Sequence, residues 1–270
     1  MRYFSFAIPI WGIAAFTTAS SCCSKAAKQC PIADVSALST TGEPVGRTEV
    51  YENVTMYYTG DEKYAGGTAV LFLTDIYGLA SPEDLRLADS FGRAGYFVVA
   101  PDLFNGSPSP MDMNAPGFNQ SQFLASHGPD VTDPIIGKGI RYLREVRGAQ
   151  RVAVTGYCFG GRYALRFAGE NQGVDAAFAA HPSGWTDEEI AAITLPASVA
   201  HGQNDELNPL ALRQQMEDIL DNKTTPWEVD LYSGAMHGFA VRPNTTVPQQ
   251  RFAYETSFIQ AVRWFEFWAK

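Results

Sequence analysis

Histidine and cysteine are scarce in this 270-residue sequence, four of each, so their positions carry more information than their number. Cys22, Cys23 and Cys30 form the one close group of cysteines, and no histidine lies near them to complete a metal site. Positive charge is also short. Lys and Arg total 20 against 29 Asp and Glu, a formal net charge of −9, whereas nucleic-acid binding wants a basic face. The N-terminal apolar stretch from Tyr3 to Phe16 is broken by Pro9 and falls short of the about 20 residues that span a bilayer. Internal repeats and low-complexity blocks are missing. What remains, 46% hydrophobic and 18% charged, suits one well-packed globular domain.

The amino terminus reads as a separate piece. Arg2, a short apolar core and the small residues Thr17-Thr18-Ala19-Ser20-Ser21 have the order of a secretory signal peptide over residues 1–21, cut near Ala19 or Ser21. An uncleaved apolar anchor is the alternative. Removal of the leader would leave no stable membrane association. Four Asn-x-Ser/Thr sequons, at Asn53, Asn119, Asn222 and Asn244, fit export and N-glycosylation. Residues 22–45 are a polar, cysteine-containing arm. An oxidising compartment would let Cys30 pair with Cys22 or Cys23 and leave one thiol over.

Residues 46–270 alternate apolar strands with helical patterns. Residues 47–58 alternate as an early hairpin strand, and 68–74 form a continuous apolar run of strand length. Further strands are expected at 96–100, 151–155, 174–180, 197–200 and 227–232, and helices at 82–94, 134–146, 210–220 and 248–268. Residues 105–130, rich in Gly, Pro, Asn and Ser, read as a long loop or cap. This pattern predicts an α/β fold, a mostly parallel sheet with helices on both faces. Ligands then sit beyond the carboxyl ends of the strands.

One such end holds Gly156-Tyr157-Cys158-Phe159-Gly160-Gly161, after the apolar Val152-Ala153-Val154. It reads as the nucleophile elbow of an α/β-hydrolase fold with cysteine where serine is usual. The flanking glycines clear room for a sharp turn, and the Phe159 amide at the helix start favours a developing anion. A small apolar core cysteine is the plain alternative. The remainder of the chain favours the chemical one. Asp205 comes after a strand, where it could cap a helix, and His237 sits in Gly234-Ala235-Met236-His237-Gly238-Phe239, after the next strand. Nucleophile, acid and histidine thus come in the order this fold uses. A neighbouring imidazole activates a thiol, and a carboxylate fixes the ring's tautomer. His127, His181 and His201 read as hydrogen-bonded loop or strand-end residues.

Over roughly residues 45–270 the chain resembles the dienelactone hydrolase family. The matching segments are Leu73-Thr74-Asp75-Ile76-Tyr77-Gly78, Ala100-Pro101-Asp102-Leu103-Phe104, Gly156 to Gly161, Asn204-Asp205 and His237-Gly238-Phe239. The resemblance implies hydrolysis of a small-molecule ester or lactone through a thioester, with no metal or organic cofactor. Cys158 would be the nucleophile, Asp205 the orienting acid and His237 the base, with the Ile76 and Phe159 amides as oxyanion hole. Asp75 stands where bacterial members carry a glutamate that engages the resting cysteine. The arginine those enzymes place after Pro-Asp-Leu-Tyr is missing, for Asn105-Gly106-Ser107 comes after Phe104; Arg242 lies near the place of a second one. Tyr77, Phe104, Phe118 and Phe239 are expected to shape an apolar pocket, with Arg242 at a carboxylate site or on the surface. Dienelactone itself is therefore not the expected substrate. A natural-product intermediate, a non-catalytic binding or redox role, and peptide hydrolysis are the other readings.

Overall fold

Residues 35–61, 64 and 66–270 of the computed structural model are described; the leader and Cys22, Cys23 and Cys30 lie outside them. The sequence's alternation of strands and helices forms an eight-stranded sheet. β1 (Arg47–Tyr51) and β2 (Val54–Thr59) are an antiparallel hairpin. The expected single strand over 47–58 is therefore two. Glu52 and Asn53 both take positive φ, 48° and 64°, as a tight two-residue hairpin turn demands. β3 (Thr68–Leu73), β4 (Phe97–Pro101), β5 (Arg151–Tyr157), β6 (Ala176–Ala180), β7 (Ala197–Asn204) and β8 (Trp227–Met236) are mutually parallel, and β2 meets β4 antiparallel. The spatial order is β1-β2-β4-β3-β5-β6-β7-β8.

Strand side chains alternate between two cores. Ala69, Leu71 and Leu73 face α3 (Pro129–Arg141), α4 (Phe159–Arg166) and α6 (Leu210–Leu220). Val70 and Phe72 face α1 (Pro82–Arg93) and α7 (Pro248–Trp268). Helices thus cover both faces, as a sheet buried on two sides requires. Phe91 of α1 sits against Phe72, Phe258 and Phe265, with the Phe258 ring centroid 5.0 Å away. Its truncation to alanine should cost about 3–5 kcal/mol.

The chain leaves β3 through α1 on one face and reaches β5 through α3 on the other. The switch in direction falls between β3 and β5, where a crevice opens beyond the strand ends. Asp75 and Cys158 come just after those two strands. Three helices also differ from the pattern-based expectation. The loop of 105–130 contains a short helix, α2 (Gln120–Ser126), started by the Asn119 side chain accepting from the Gln122 amide at 2.9 Å. α3 begins at Pro129, where the missing N–H of a proline costs nothing, and runs on through Pro134, which cannot donate to the Asp130 carbonyl one turn back. α5 (Asp187–Ala191) is held by a Thr186–Glu189 capping box.

Candidate active site

The turn after β5 is sharp. Cys158 has φ 51° and ψ −112°, a conformation that costs a non-glycine residue of order 1–3 kcal/mol and persists only where surroundings enforce it. Those surroundings are bare backbone. A Cβ on Gly156 would overlap the Gly160 carbonyl, and one on Gly160 would overlap the Leu73 and Thr74 carbonyls. Helix α4 can therefore start directly behind β3 only with glycine at both places. The Cys158 amide donates to the Ala180 carbonyl and to His181 Nδ1, both at 3.2 Å. The Ser183 amide donates to the Cys158 carbonyl at 3.1 Å, and the Ser183 hydroxyl lies 3.4 Å from Sγ.

Asp205 stands after β7 and is 2% exposed. His237 Nδ1 lies 3.0 Å from both of its oxygens. The Leu207 amide (2.9 Å) and Asn208 Nδ2 (3.0 Å) also donate to it. Burial alone would push this carboxyl up, but the His237 and Asn208 hydrogen bonds hold it below its ordinary range. His237 behaves in the opposite sense. Burial pulls it down, yet the bond to Asp205 and the neighbouring Cys158 push it up to about 10. With Nδ1 committed to Asp205, Nε2 is buried without a hydrogen-bond partner, on a ring that lines the same cavity as Cys158. The ring is set to hold a proton next to sulfur.

That cavity measures about 560 Å³. Ile76 and Phe159 line it, and neither backbone N–H finds an acceptor among the described residues. The Phe159 amide is one of the orphan donors of a helix start. Its opposite wall comes from the cap, through Met113, Gln120 and Leu124.

The expected pocket aromatics divide. Tyr77 lines the cavity. Phe104 does not: it is 1% exposed and packs behind the wall on Phe123, His127 and Phe159. Phe239 is likewise buried, against His181 and Tyr232, and Phe118 packs on Phe123. Wide apolar side chains next to a strand end went to the core, where they bury most area. Asp75 gives its two oxygens to the Tyr77 amide (2.8 Å) and to Arg242, so the thiol does not receive them. Arg242 lines the cavity, stacks 4.7 Å over the Tyr77 ring and also reaches Asp84 at 3.3 Å; it is not a surface residue. Asn53, Asn119, Asn222 and Asn244 are exposed.

Four contributors escaped the sequence reading. Asp84 looks like an ordinary acidic residue of a helix first turn. Ser183 comes after β6, and its place beyond a strand end was the available signal. Asn208 ties the Asp205 loop to the Pro182 carbonyl at 2.7 Å; nothing in the sequence marks it. His181, expected as a plain strand-end residue, bonds the Cys158 amide and lies 5.0 Å from His237, centroid to centroid. His201 is buried with neither ring nitrogen hydrogen-bonded, against the expectation.

The parallel sheet, the helices on both faces and the strained turn between β5 and α4 define an α/β-hydrolase fold. The dienelactone hydrolase family model matches residues 55–268, and the chain belongs to that family. It is 38% identical to hydrolase pyvD of Aspergillus violaceofuscus over 85% of this chain and 93% of that one. It is 32% identical to hydrolase tropI of Talaromyces stipitatus, with the same coverage. A crystal structure described as a putative dienelactone hydrolase from Klebsiella pneumoniae shares the fold, with a TM-score of 0.67 at 17% identity, covering 82% of this chain and 98% of that one.

Proposed function

We propose that this protein hydrolyses an ester or lactone of a small molecule through a thioester on Cys158. The observation that carries the reading is His237, bonded through Nδ1 to buried Asp205 and lining one cavity with the thiol. The Cys158 proton passes to His237 Nε2, leaving thiolate beside imidazolium. Sulfur attacks the carbonyl carbon, and the oxyanion that forms is met by the free amides of Ile76 and Phe159. Collapse breaks the carbon–oxygen bond of the ester, and the departing oxygen takes the proton from Nε2. A water then gives a proton to Nε2 and its oxygen to the thioester carbon, and the thiolate leaves with the acid product. Asp205 keeps the tautomer that makes Nε2 the working nitrogen throughout.

Two measurements test this. Turnover of a p-nitrophenyl ester should vanish in Cys158→Ala; unchanged turnover removes the mechanism. Mass spectrometry after incubation with a panel of lactones and esters should find an acyl group on Cys158, and its mass would tell a natural-product intermediate from a simple ester. A non-catalytic scaffold instead predicts a Cys158 that resists iodoacetamide at neutral pH.

We also infer passage through the secretory pathway and N-glycosylation. The leader-like start and the exposure of the four sequon asparagines support it. A downward shift in mass on endoglycosidase treatment of the protein secreted by a eukaryotic host is the expected result.

A further inference from the structure

Two arginines line the cavity, Arg162 and Arg242, and the guanidinium of each is already answered by carboxylates. Arg162 makes a bidentate pair with Glu189, with contacts of 2.9 to 3.1 Å. Arg242 bonds Asp75 and Asp84, two carboxyl groups with no exposed side-chain surface. The Asp84 carboxyl accepts the Asp75 amide at 3.1 Å, and the Asp84 amide donates to the Ser81 hydroxyl at 3.2 Å. Burial first, and the nearness of Asp75 second, raise the Asp84 carboxyl well above its ordinary range. In either protonation state of Asp84 the trio Arg242–Asp75–Asp84 carries no net positive charge. On the far side, His237 is balanced by Asp205. A ligand carboxylate entering here would meet no uncompensated cation, in a protein of net charge −9.

Donors remain, however. A guanidinium has five N–H groups in a fixed fork, more than the contacts to Asp75, Asp84 and Ser81 use. An uncharged oxygen can accept one of them without upsetting the charge balance.

We infer that this cavity selects an uncharged substrate, binding a neutral acceptor such as a ketone, ester carbonyl or hydroxyl at Arg242 and rejecting a carboxylate there. The inference rests on the proposed hydrolase activity and narrows its substrate class. Rejection comes from the cost of a desolvated charge without a partner.

The test uses two substrates that differ in one charge, p-nitrophenyl methyl adipate and p-nitrophenyl hydrogen adipate, at neutral pH. The full-length protein should favour the methyl ester in kcat/KM by about tenfold or more. Asp75→Asn combined with Asp84→Asn uncovers the Arg242 charge and should move that ratio toward the acid by about fivefold or more. Equal or faster turnover of the acid by the unaltered protein overturns the inference, as does an unchanged ratio in a folded double variant. If the double variant does not fold, the ratio of the unaltered protein decides. If neither ester is cleaved, the hydrolase reading is left to the panel of lactones and esters, and the charge inference is decided separately by alkylation of Cys158. Relative to free cysteine, iodoacetamide should then outpace iodoacetate; the reverse order overturns it.

Discussion

Two buried carboxylates flank Cys158 and do different things. Asp205, after β7, faces a histidine; Asp75, after β3, faces an arginine. Both are almost fully enclosed, at 2% and 0% exposure, and both accept a loop amide two residues ahead. The difference lies in the partner. An imidazole can give up its proton, and its environment has moved it to about 10; in the proposed mechanism the Asp205 side is the one that passes a proton to and from sulfur. A guanidinium stays charged at any working pH, so the Asp75 side is a fixed wall that shapes and balances the cavity. A carboxylate at a strand end is thus chemistry or architecture according to what it is paired with.

The sharpest way to break this comparison is to remove the titrating partner. His237→Ala should lower kcat/KM for a p-nitrophenyl ester by roughly 10²- to 10⁴-fold, while Arg242→Gln should act on substrate preference more than on kcat. Equal losses of kcat in the two variants would erase the distinction. A smaller effect is expected from Asn208→Ala, which leaves Asp205 Oδ2 and the Pro182 carbonyl without their shared donor. Activity should fall about tenfold and stability by about 1–3 kcal/mol in urea unfolding; full activity would show that Asn208 does not position the acid.

The mildest effect is on stability against pH. His237 binds its proton more tightly folded than unfolded, so its contribution is complete below its ordinary value of 6.5 and is lost as pH rises through about 10. Asp205 is shifted the other way, and its contribution is present above its ordinary value of 3.8 and lost as pH falls through its lowered folded value. Urea unfolding of the intact protein should weaken across the alkaline window, and His237→Ala should flatten that slope. An identical slope in both proteins would mean that the pair does not hold the proton in the folded state.

Legibility in the sequence depended on how local the physics was. The elbow was readable because Gly156, Cys158, Gly160 and Gly161 are neighbours and their job, clearing a turn, is done within a few residues. The sheet was readable because period and burial repeat along each strand. α2 was not, since its Gln-Ser-Gln start has no apolar stripe and its stability comes from Phe123 packing on Phe104, outside the helix. Distance along the chain hid Asp84, 158 residues from the arginine it meets, and contacts beyond their own loops sent Phe104 and Phe239 to the core rather than to the pocket.

By itself the sequence determined the alternation of strands and helices, the glycine-framed turn around Cys158 and the order in which Asp205 and His237 come after it. These are matters of steric room and hydrophobic period, which act between near neighbours. Only the tertiary structure decided that Asp205 clasps His237, that Arg242 is shared by Asp75 and Asp84, and that Ser183 stands beside the sulfur. Charge pairing in a desolvated interior depends on distances across strands, and those exist only once the sheet has closed over both cores.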